Sequence, residues 1–224
     1  MADVFLDFLP DPGPTDSFFS HDARHLILKV FVSASETLDD EWKRYVKTFE
    51  EYISEPRADE SEVGIAYSEK DWEEDRHRQR MQGVGALALD WLMSSLKGVL
   101  RRAKRYLDKS HPADPKGYKT KKGWLGDLSK EYKDRFGIDF TTGPVPFDRI
   151  EELVFARNAG IHREDEWVLE EYLGKLKNPR FVDDEDRVFV TKDALVAVIG
   201  ECEQFVEWVD SELRKLRPPK PKMS

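Results

Sequence analysis

Apolar residues recur along this chain in alternating steps of three and four, the spacing that keeps side chains on one face of an α-helix. The clearest stripe lies near the C-terminus, at Leu195, Val198, Cys202, Phe205, Val209, Leu213 and Leu216. Thr191 stands just ahead of it as a predicted N-cap. A longer stripe runs through Gly85, Leu89, Leu92, Leu96, Leu100, Ala103 and Leu107, with Val84 and Trp91 widening it, and predicts a helix over roughly 69–109. Leu26, Val30 and Ala34 open a third helix, from about His21 to Ser54, ended by Pro56 and the acidic run 59–62. A short helix over about 124–136 carries Leu125, Leu128 and Tyr132 and stops at Gly137. After the turn Thr141-Thr142-Gly143-Pro144, another helix begins near Pro146, a residue favoured in the first turn. Its stripe reads Phe147, Ile150, Val154, Arg157 and Ile161. A short helix is expected over 167–176, broken by Asn178-Pro179. Phe181-Val182 and residues 187–190 are expected to pair as a small β-hairpin before the last helix. The chain therefore reads as all-α, a bundle of four to five main helices.

The ends read differently. Residues 1–20 mix Phe5, Leu6, Phe8 and Leu9 with Pro10, Pro12 and Pro14, which forbid a continuous helix and suggest an arm. Residues 21–216 form the helical domain, and 217–224 are a Pro- and Lys-rich basic tail expected to be disordered. Acids stand at the N-terminus where a signal peptide needs bases, and no stretch of eighteen apolar residues predicts a membrane span. Cys202 is the single cysteine, so no intrachain disulfide forms, and its stripe position makes it a core thiol. A cytoplasmic location is expected. No glycine-rich phosphate loop and no Cys/His metal cluster occurs; His21 and His25 have metal-compatible spacing but no further Cys or His accompanies them.

Candidate chemistry centres on Arg157. An arginine in a stripe position where an apolar residue is expected needs a partner, because a buried, unpaired guanidinium is costly. That partner is a nearby acid such as Glu152 or Glu164, a protein–protein seam, or an anionic ligand. Asn158 and His162 are four residues apart and share an adjacent face. Histidine suits proton transfer, with an unperturbed pKa of about 6.5. Arginine is permanently cationic and binds phosphate through parallel hydrogen bonds. The structural alternative is an Arg157 ion pair with His162 as a capping or core residue.

Arg157, the polar Asn158 and His162 together resemble the Arg-x4-His motif of the HEPN family, whose fold is a small helical bundle. The resemblance covers roughly residues 20–216 and places the motif on the penultimate long helix. It implies a metal-independent endoribonuclease without cofactor, cleaving RNA through attack of its own 2'-hydroxyl, in a defence or toxin–antitoxin setting. Arg157 would stabilise the transition state, His162 would transfer protons and Asn158 would position. It also implies a homodimer in which the motif helices of two protomers build one composite cleft. Ala156, Ala159 and Gly160 are the expected dimer seam, since small residues let helices approach closely and a mid-helix glycine otherwise costs about 1 kcal/mol. An antitoxin or other protein partner is a further expectation. One HEPN subgroup carries a tyrosine two residues after the histidine, the target of its antitoxin; here Arg163 and Glu164 follow His162, which puts that regulation in doubt. The second reading is a non-catalytic module of the same fold that binds RNA or a partner protein.

Charge adds one element to this picture. The net charge of -9 disfavours indiscriminate nucleic-acid binding, yet residues 101–122 hold nine basic residues against Asp108 and Asp114, a local +7. Arg101, Arg105 and Lys109 are four apart on one helix edge, and Lys119, Lys121 and Lys122 follow in a loop. With Tyr106, Tyr118 and Trp124 interspersed, these six bases are the expected RNA-binding residues, the alternative being a solvated helix face.

Overall fold

A computed structural model describes residues 21–55, 60–107, 111–115, 117–120, 123–161, 170, 173–175, 179–183 and 187–216. The fold is all-helical. Five α-helices are defined among the described residues: α1 (His21–Ile53), α2 (Glu60–Ala103), α3 (Gly123–Phe136), α4 (Phe147–Ile161) and α5 (Lys192–Lys215). Short 3-10 turns follow α2 at Lys104–Leu107 and precede α4 at Phe140–Thr142. The chain divides into two compact units. Among the described residues, one holds those of 21–25, 91–154 and 196–216, and the other those of 26–90 and 155–195.

In the first unit the leucine stripe of α2 and the stripe of α5 are buried as expected. Leu92, Leu96 and Leu100 of α2 are inaccessible to solvent, as are Val198, Cys202 and Phe205 of α5. Aromatic rings fill the centre: Tyr132 lies 5.0 Å from Phe140, and Phe140 meets Phe205 edge-on at 5.0 Å. Such pairs add about 0.5–1.5 kcal/mol beyond their area. The Tyr132 hydroxyl is buried and donates to the Leu100 carbonyl at 2.6 Å, so no polar atom is stranded there. Helix α3 ends at Gly137, whose φ of 69° only glycine adopts without strain and whose N–H donates to the Lys133 carbonyl at 3.0 Å. Beside it, Asp139 accepts from Lys133 Nζ at 2.7 Å and from the Thr141 N–H at 3.0 Å. The Lys133 and Thr141 hydrogen bonds hold the Asp139 carboxyl down at about 2.

The second unit is built on α1 and the first thirty-one residues of α2, which run antiparallel. Asp39 meets His77 at 3.5 Å, Glu41 meets Arg80 at 3.5 Å, and Phe49 meets the Tyr67 ring at 5.2 Å. Helix α2 begins nine residues before the expected 69, and its first turn contains Glu60 and Glu62. The acidic run thus opens a helix at its positive dipole end instead of only closing the one before. The buried face of α1 is Ile27 and Phe31; Leu26 and Val30, the expected stripe, are about half exposed. Trp91 is likewise 40 % exposed and does not widen the core face of α2.

Ahead of α5, where a hairpin is expected, the described residues show an antiparallel bridge between Val182 and Val188, with Phe189 N–H donating to the Phe181 carbonyl at 2.9 Å. Thr191 caps α5, its Oγ1 accepting from the Ala194 N–H at 3.2 Å. By length and composition α2 could cross a membrane, but half of its apolar window is buried in the protein itself. The arm at 1–20, most of the expected helix at 167–176 and the tail at 217–224 lie outside the described residues.

Candidate functional site

Helix α4 carries the motif, and its buried face is one position away from the predicted stripe. Ile150, Leu153 and Ala156 are inaccessible to solvent and Ala159 nearly so, while Val154 is only partly covered and Ile161 is 44 % exposed. Arg157 therefore sits at the margin of the core, not inside it. The guanidinium still finds an acid. Arg157 Nε donates to Asp90 Oδ1 of α2 at 2.7 Å, and Nη1 donates to Asn158 Oδ1 at 3.1 Å. Nη2 makes no hydrogen bond among the described residues. The side chains of Arg157 and Asp90 are 26 % and 37 % exposed. A pair this open to water contributes about 0–1 kcal/mol to stability. Its clearer effect is geometric: one edge of the guanidinium is fixed and the Nη2 corner remains for another acceptor.

Of the two expected acids, Glu152 is not this partner. Glu152 is fully buried beside Arg149, whose Nη1 lies 3.5 Å away. Glu164 and His162 lie outside the described residues. The sequence offered one signal for Asp90, the acid inside the leucine run Leu89-Asp90-Trp91-Leu92, but no spacing rule connects it to an arginine 67 residues on. Lys175 adds a second cation near the motif, its Nζ 4.5 Å from the Phe155 ring.

The expected dimer seam is corrected. Ala156 and Ala159 are 0 % and 2 % exposed within a single chain, so they have no surface to offer a second copy. A Cβ added at Gly160 would meet the Ala86 Cβ at 3.2 Å and Val188 Cγ1 at 3.5 Å. Gly160 thus lets α4 approach α2 of the same chain. Gly160→Leu should accordingly overpack the protein, lowering stability by about 1–3 kcal/mol in a urea titration. Separation of dimers by this substitution with an unchanged unfolding midpoint would contradict the internal packing.

The basic segment belongs to the other unit. Arg101, Arg105 and Lys119 are exposed and make no ion pair or hydrogen bond among the described residues. Lys109, Lys121 and Lys122 lie outside those residues. Lys104, from the same run, is engaged with Glu131, which also accepts from Arg135 Nη1 at 2.5 Å. No group of three or more metal-ligating side chains occurs among the described residues. No family model, curated protein or solved structure matches the chain.

Proposed function

We propose that the chain is a HEPN-like helical bundle acting as a metal-independent endoribonuclease in a defence or toxin–antitoxin setting in the cytoplasm. The observation that supports this best is the state of Arg157: anchored through Nε by Asp90 and through Nη1 by Asn158, with Nη2 still available. An anchored, partly exposed guanidinium loses little freedom when it binds a phosphate oxygen. In the proposed reaction the RNA 2'-oxygen forms a bond to phosphorus as the bond to the 5'-oxygen breaks. A base takes the 2'-hydroxyl proton and an acid protonates the departing 5'-oxygen, the work assigned to His162. Arg157 stabilises the charge growing on the non-bridging oxygens. Asn158, its Oδ1 already used by Arg157, orients the guanidinium and keeps its amide N–H donors for the substrate.

One chain brings one such histidine, so the homodimer stays part of the proposal. Ile161, four residues after Arg157 and 44 % exposed, is the apolar side chain that this face offers a second copy. The basic residues Arg101, Arg105 and Lys119 would contribute phosphate contacts, with Lys109, Lys121 and Lys122 alongside in sequence.

The second reading is a binding module of the same fold without cleavage. The Arg157–Asp90 pair favours it, because a carboxylate at 2.7 Å offsets part of the cationic charge on which phosphate binding depends. The test is direct. Purified protein should cleave single-stranded RNA in excess EDTA, leaving 2',3'-cyclic phosphate and 5'-hydroxyl ends. Chelator-sensitive cleavage giving 5'-phosphates would reject the assignment, and RNA binding without any cleavage would select the module.

A further inference from the structure

The antiparallel α1–α2 pair holds a groove of about 440 Å³, remote in sequence from the motif. Tyr45, Phe49 and Tyr52 of α1 line it at helical spacing, facing Glu62, Ile65 and Glu69 of α2. Tyr52 and Ile65 are 41 % and 61 % exposed, so the apolar walls are open to solvent. No basic side chain lines the groove among the described residues. The stretch of sequence that carries it is acidic as well: residues 49–75 hold eleven acids against Arg57 and Lys70, a net charge of -9.

We propose that this groove docks an arginine- and lysine-rich segment of a partner protein. Aromatic faces attract cations through their quadrupoles, and flanking carboxylates bind the same cations by hydrogen bonding and Coulomb attraction. The chain displays the first of these interactions itself, since Lys70 Nζ stands 5.4 Å from the Phe49 ring centre. The local field points the same way. Burial, and after it the charges of Glu73 and Glu69, raises the Tyr45 phenol above its ordinary value. An RNA backbone is repelled by such a surface, and an acidic or purely apolar peptide would leave Glu62 and Glu69 without a counter-charge. The long basic side chains also fit the open Tyr52 and Ile65 walls, laying their methylenes along apolar surface.

The test uses the full chain and a fluorescent nonapeptide of alternating arginine, glycine and serine, read by anisotropy. Binding should occur with a dissociation constant on the order of ten micromolar at low salt. Glu62→Gln with Glu69→Gln should weaken it by about tenfold. Tyr52→Ala should weaken it by about threefold, whereas Tyr52→Phe should not, which separates ring recognition from general acidity. All three positions are exposed, so the fold tolerates these changes. Equal binding of the glutamate counterpart peptide, or unchanged affinity in the carboxamide and alanine variants, would overturn the proposal. So would free arginine binding as tightly as the peptide, since the groove would then be a small-molecule site.

Discussion

Replacing His162 by alanine is expected to lower RNA cleavage by about a hundredfold or more, the usual contribution of a positioned proton-transfer group. Arg157→Ala should lose a comparable amount, because it removes the guanidinium that Asp90 holds toward the proposed phosphate. Asp90→Asn should do less harm. It keeps an oxygen that can accept from Arg157 Nε but weakens the anchor, so a loss of about tenfold is expected in turnover, while the affinity for RNA should hold or rise because the carboxylate no longer offsets the guanidinium charge. Circular dichroism should show the same helix content in all three, since Arg157 and Asp90 are both partly exposed and a pair of that kind contributes about 0–1 kcal/mol to stability. Equal turnover by wild type and the His162→Ala/Arg157→Ala double variant would remove both residues from the chemistry.

The largest effect on stability should come from Glu131, far from the motif in sequence. Its side chain is 9 % exposed and lies between two cations, Lys104 and Arg135, the latter 3 % exposed. Arg135 also donates through Nε to the His111 carbonyl at 2.9 Å, tying the segment after α2 to α3. Glu131→Gln keeps the shape and removes the charge that Lys104 and Arg135 share. Loss of one partner of a buried pair costs about 3–5 kcal/mol, and the urea midpoint should fall accordingly. Replacing the trio together by apolar residues of similar volume should cost far less. An unchanged midpoint for Glu131→Gln would mean that water already screens this cluster. The same cluster explains why Lys104 differs from its neighbours Arg101 and Arg105: it is committed to the fold.

Different helices were legible to different degrees, for physical reasons. The C-terminal helix was readable almost residue by residue, because its apolar positions alternate with polar ones and only one face can be buried. In α1, Leu26 and Val30 lie beside Ile27 and Phe31, so two faces satisfy the same period and the hydrophobic pattern does not choose between them. Helix α4 is harder still. Its buried face includes Ala156 and Ala159, whose small side chains give hydropathy little to register, whereas the bulkier Val154 and Ile161 dominate the apolar pattern. The need of Arg157 for a partner was legible from charge alone. The partner was not, because Asp90 comes from another helix and its proximity is a product of tertiary packing.

The tight approaches in the second unit also bear on how relatives of this chain would vary. A Cβ at Gly85 would meet the Val190 side chain at 2.8 Å, and one at Gly160 would meet Ala86 at 3.2 Å. Each contact joins two positions whose combined volume is fixed, so neither can grow unless the other shrinks. Across diverged sequences, 85 with 190 and 86 with 160 should therefore change as linked pairs, drifting together where single columns look unconstrained. Such paired drift would outlast the hydrophobic pattern of α4 as a mark of common descent.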